Sequence, residues 1–77
     1  MTLKTKQQVA KLVGKKIRTL RLERGISLKH FEVMENAIDR HSLSNIERGL
    51  KTPSIYTLYK IARLLNVPPK EILSLLE

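Results

Sequence analysis

The sequence predicts an all-α fold of five helices, and three observations predict it. Valine and isoleucine are scattered and never alternate with polar residues over the length of a strand. The large aliphatic residues recur instead at three- and four-residue spacing, in blocks. Between the blocks stand residues that start or stop helices: Thr5, Gly25, Ser27, Asp39, Gly49, Ser54 and Pro69.

The first helix opens at Thr5, where Gln8 three residues on completes the pattern of a capping box. Val9, Leu12, Val13, Ile17 and Leu20 then form one apolar face, with Lys11, Lys15, Lys16 and Arg18 mainly opposite. Gly25 ends the helix as a C′ glycine does. Gly14 lies inside it and costs about 1 kcal/mol relative to alanine, which weakens the middle turn. Ser27 caps a second helix that runs to about Met34 or Glu35, with Phe31 as its apolar anchor and a break at Asn36 and Ala37. Asp39 caps a third helix ending at Gly49. The stretch LKTPS is a loop: Pro53 cannot continue a helix, and Ser54 caps a fourth. Ile55, Leu58, Ile61, Ala62 and Leu65 are its apolar face. The run NVPP breaks the chain again, and Pro69 suits the first position of a fifth helix, from Lys70 to about Leu76. There, Ile72 and Leu76 are expected to cover Leu58 and Ile61, and Leu73 and Leu75 suit a contact with a second copy of the chain.

With 77 residues the chain is expected to form one domain, residues 1–77, with no separate effector domain and so no small-molecule substrate or sensor. It has no cysteine, which fits a reducing compartment and leaves no disulfide framework or thiolate metal site. Apolar runs of three or four residues are far too short for a membrane span, and no signal peptide is expected. His30 and His41 stand apart without companions, so no metal is expected. No nucleophile, base and acid pattern and no phosphate-binding loop is present, so neither an enzyme nor a cofactor is expected. Phe31, Tyr56 and Tyr59 are too few for a platform that stacks single-stranded bases. Charge is the informative total: 15 Lys and Arg against 7 Asp and Glu give +8 and a pI near 10.2. Such a balance points to nucleic acid or another anionic surface.

The third helix shows where that charge is used. At 100° per residue, Arg40, His41, Ser44, Asn45 and Arg48 fall within an arc of about 140°. Leu43, Ile46, Ser42 and Glu47 fill the other side. A solvated face commonly mixes lysine with glutamate, whereas this outward arc carries no acid. Arginine suits guanine, asparagine suits adenine, and serine and histidine suit several groups. Two short helices joined by a tight turn, over about 27–49, form a helix-turn-helix, whose second helix enters the major groove.

Three segments carry a family resemblance. GKKIRTLRLERGISL resembles the first helix and its exit in the phage-repressor-type (Cro/repressor, XRE) helix-turn-helix proteins. IDRHSLSNIERG resembles their turn and recognition helix, and KTPSIYTLYKIARLLNVPPKEIL their fourth and fifth helices. The resemblance implies a five-helix repressor-like domain that binds double-stranded DNA and regulates transcription, as a repressor and a homodimer, in the cytoplasm of a bacterium, on nucleoid or phage DNA. It implies that Arg40, His41, Ser44 and Asn45 face base edges, that Asp39 caps the recognition helix, and that Arg48, Lys51 and Thr52 lie along phosphates. It also implies that Arg21 and Glu47 pair inside the fold, which accounts for the acid on the inner arc. The chain departs from the pattern in three places. Leu28 stands where a phosphate-binding glutamine is common, and Lys29 is the substitute contact. Glu32 stands where a small alanine is common. One extra residue lies around Glu35 to Ala37. The alternative on the same fold is an antitoxin or another protein-interaction module, with DNA binding secondary. A membrane-surface protein would want Trp, Phe or Leu on one face of a strongly amphipathic helix, and the chain has no tryptophan.

Overall fold

The structure, a computed structural model, describes residues 2–33 and 38–77. Among them are five α-helices: α1 Lys6–Glu23, α2 Leu28–Val33, α3 Arg40–Glu47, α4 Ile55–Leu65 and α5 Pro69–Leu73. A 3-10 turn, Ser74–Leu76, closes the chain where the sequence predicts a longer fifth helix. The expected end of the second helix at Met34 or Glu35, the break after it and the extra residue there lie outside the described residues.

The starts of α1 to α4 each pair one otherwise free N–H group with a cap side chain three residues before it. Thr5 Oγ1 accepts from Gln8 N–H at 3.1 Å, and Gln8 Oε1 accepts from Thr5 N–H at 2.8 Å, which completes the capping box. Ser27 accepts from His30 N–H, Asp39 from Ser42 N–H and Ser54 from Thr57 N–H, at 3.0, 3.1 and 3.1 Å. α5 has no side-chain cap, and Pro69 in its first turn removes one donor that would need a partner.

Three helices end alike. Ile26 N–H reaches back to Arg21 O, Leu50 N–H to Asn45 O and Val67 N–H to Ala62 O, at 3.1, 2.9 and 3.0 Å. Each of these bonds requires a left-handed residue just before it, and Gly25, Gly49 and Asn66 supply it with φ of 65, 75 and 59°. Asn66, rather than the two prolines after it, is therefore the stop of α4.

The core joins all five helices. Val13, Ile17 and Leu20 of α1 meet Phe31, Ile38, Leu43, Ile46, Ile61, Ala62, Leu65 and Ile72. Leu58 and Leu76 pack against this cluster from its edge. Leu73 and Leu75 stay exposed. Ile55 does not join the apolar face of α4 as the sequence predicts, and it is 89% exposed. It lies about 70° from the middle of that face and on the first turn, beyond the reach of the core.

Gly14 explains itself through packing. A Cβ there would collide with the Ile46 carbonyl oxygen and sit 2.8 Å from that of Glu47. The glycine weakens α1 as a helix, yet it lets α1 lie directly on the end of α3. One turn earlier, a Cβ on Gly49 would sit 2.7 Å from Lys11 Cγ. So α1 holds the exit of α3 at two points on one face.

Candidate nucleic-acid interface

α3 is fixed at both ends by contacts to other helices. At its C-terminal end, Arg21 Nε donates to Glu47 Oε2 at 2.6 Å and Arg21 Nη2 donates to Glu47 Oε1 at 3.0 Å. The third nitrogen, Nη1, donates to Ile26 O at 2.6 Å. The two side chains are only 7% and 3% exposed. A guanidinium matches a carboxylate in two parallel bonds, so this pair fixes direction as well as distance. It also ties the glycine exit of α1 to α3, because Ile26 is the residue that follows Gly25.

At the N-terminal end, Asp39 takes one of the free donors and Glu32 takes another. Glu32 Oε2 accepts from the Arg40 backbone N–H at 3.0 Å, and its Oε1 lies 3.9 Å from Arg40 Nε. In the sequence Glu32 is a departure from a family pattern. In the structure it binds α2 to the start of α3. The signal in the sequence is faint: an acid eight residues before a helix whose first N–H groups need acceptors.

The exposed face carries the charge. Arg40, His41 and Arg48 are exposed, and Ser44 and Asn45 are half-buried between them. Leu43, Ile46 and Glu47 are buried on the other side, so α3 divides as its 100° periodicity predicts. Lys51 is exposed and Thr52 half-buried in the loop beyond α3, and Lys29 is exposed on α2. A groove runs between α3 and the start of α4, where Ser42, Lys51, Thr52, Ser54, Thr57 and Lys60 share its walls. Lys60 escapes sequence reasoning because it lies on α4, beyond the helix-turn-helix segment. Its ammonium also lies 5.5 Å from the centre of the Tyr56 ring, which stacks on Tyr59 at 6.3 Å. Both tyrosines are exposed, as rim residues are.

Among the described residues no group of three His, Cys, Asp or Glu is placed to hold a metal ion, and no helix is long and apolar enough to cross a membrane. The chemistry on offer is that of hydrogen-bond donors and positive charge on a rigid helix.

A family model described as a helix-turn-helix domain matches residues 14–76. The chain belongs to this family. Its match is of the XRE type that the sequence resembles. An HTH-type transcriptional regulator of Sinorhizobium fredii, y4dJ, is 34% identical over 64 residues, 83% of this chain and 82% of that one. The control protein C.BamHI of Bacillus amyloliquefaciens is 34% identical over 62 residues, 80% of this chain and 76% of that one. The crystal structure of the restriction-modification controller protein C.AhdI from Aeromonas hydrophila superposes with a TM-score of 0.76 at 27% identity, over 82% of this chain and 94% of that chain.

This helix-turn-helix protein is a transcriptional regulator whose domain binds double-stranded DNA. In it α1 serves as the beam on which α3 rests. The ion pair, Gly14 and Gly49 leave α3 little freedom to rotate. A helix held in this way presents one constant face to whatever it meets.

Proposed function

We propose that the protein is a sequence-specific repressor that binds double-stranded DNA as a homodimer, in the cytoplasm of a bacterium and on its nucleoid or on phage DNA. The exposed arc of α3 supports this most: five polar residues without an acid, on a helix whose inner face is locked to the core. Arg40, His41, Ser44 and Asn45 read base edges in the major groove. Arg48, Lys51, Thr52 and Lys29 hold phosphates on either side, and Lys60 joins them from α4. Residues 27–49 are the reading unit within one domain. A bound dimer acts without chemistry, by covering a promoter.

Dimerisation follows from information. One short helix reads only a few base pairs, and two half-sites about one helical turn apart, roughly 34 Å, make the site specific. The exposed Leu73 and Leu75 at the chain end supply apolar surface for the second copy. The similarity to two controller proteins supports a regulatory role near that of a restriction–modification controller.

Selection of bound sequences from a random duplex pool tests the proposal, followed by gel shifts on the selected and random duplexes at two salt concentrations. A preferred duplex with binding weakened by salt is the expected result. Equal, weak binding to every duplex would contradict it and favour the interaction-module alternative.

A further inference from the structure

We infer that Glu32 determines specificity by positioning Arg40, holding its guanidinium toward base edges and away from phosphates. This rests on the proposal above that α3 faces DNA. The carboxylate meets Arg40 twice. One oxygen accepts the backbone N–H at 3.0 Å and the other lies 3.9 Å from Nε of the same residue. Both the root and the neck of the side chain are thereby referred to one acid on α2. The approach of the acid is to Nε, at 3.9 Å, and a guanidinium met on that edge keeps Nη1 and Nη2 for a further partner. A fork is what bidentate recognition of a guanine edge requires.

The bond to the Arg40 N–H serves stability, and the charge of this acid does not. The two side chains are 58% and 35% exposed, and an ion pair so wetted contributes little to folding. Nor does affinity account for it. A carboxylate beside a DNA-facing helix repels phosphates and lowers binding to every duplex. What it supplies is direction. An arginine without a partner samples many rotamers, and a nearby phosphate attracts it as strongly as a base does. Glu32 withdraws the phosphate-directed rotamers and leaves the base-directed one. The acid therefore trades overall affinity for discrimination at one base pair.

Glu32→Gln isolates this role. The amide oxygen still accepts the Arg40 N–H, so the start of α3 is kept, and only the charge is lost. Glu32→Ala removes both. The measurement is binding of each variant to the selected duplex, to its single-base variants and to random duplex. Glu32→Gln should melt at the wild-type temperature, bind random duplex more tightly, and lose about fivefold of the discrimination at the base pair that Arg40 reads, the lower end of what a bidentate contact supplies. Discrimination at the base pair read by Asn45 should not change. In an Arg40→Ala background, Glu32→Gln should leave discrimination as it is. Glu32→Ala should add a lower melting temperature.

Unchanged discrimination in Glu32→Gln, or an equal change with and without Arg40, would overturn the inference and leave Glu32 as a helix cap. If Arg40→Ala and Asn45→Ala themselves flatten no base preference, the proposal about α3 falls, and this inference with it. If they do flatten it and Glu32→Gln does not, the inference alone falls.

Discussion

Arg21 and Glu47 are the charged residues that the described core takes out of water. Removing hydration from two ions costs several kcal/mol, and three charge-assisted bonds offset it: two between the ions and one to the Ile26 carbonyl. The arrangement is stable only while complete. Glu47→Ala leaves the guanidinium buried without a counter-charge, a loss of about 3–5 kcal/mol. A domain of this kind has a total stability of about 5–15 kcal/mol. Its melting temperature should fall sharply, and an unchanged Tm in a thermal melt would contradict the account of the pair. Replacing both partners by apolar residues of similar size, Arg21→Met with Glu47→Leu, should recover much of that loss, because no charge is then stranded.

At the scale of elements, the decisive contacts are those that seat α3 on α1. Alanine is the better helix former by about 1 kcal/mol, so propensity alone predicts that Gly14→Ala stabilises. The clash with the Ile46 and Glu47 carbonyl oxygens predicts the reverse. Backbone cannot yield as a flexible side chain does, and forced overpacking costs about 1–3 kcal/mol. Gly14→Ala should therefore lower the midpoint of denaturant unfolding, and a raised midpoint would show that α1 and α3 are not in such close contact. The same distinction explains what is legible in the sequence. Helix starts can be read because Thr5, Ser27, Asp39 and Ser54 each lie three residues from the N–H they accept. The outward arc of α3 can be read because it depends on one helix alone. Gly14 with Ile46, Gly49 with Lys11 and Glu32 with Arg40 cannot be read, because each depends on how two segments approach. Ile55 misleads because spacing tells which face it shares and not whether the core extends to its turn.

At the scale of the whole molecule, charge and size set the manner of binding. The proposed dimer places two reading helices one DNA turn, roughly 34 Å, apart. The selected site should be a pseudo-palindrome with half-site centres about 10 base pairs apart, and a site without dyad symmetry bound by one chain per duplex would rule out the dimer. The net charge of +8 ensures attraction to any duplex, so affinity alone does not identify the reading surface. Sequence preference does. Binding of Arg40→Ala, Asn45→Ala and Lys51→Ala to the selected site and its single-base variants, across salt, is the most direct measurement. A lost base contact costs about 1–3 kcal/mol on the correct site and little elsewhere. A lost phosphate contact weakens all sites alike and lowers the salt slope by about one unit. Arg40→Ala and Asn45→Ala should flatten the preference at one or two positions in each half-site, while Lys51→Ala keeps the preference and binds more weakly everywhere. If Arg40→Ala and Asn45→Ala instead weaken every sequence equally, α3 is only a basic face and the reading head lies elsewhere.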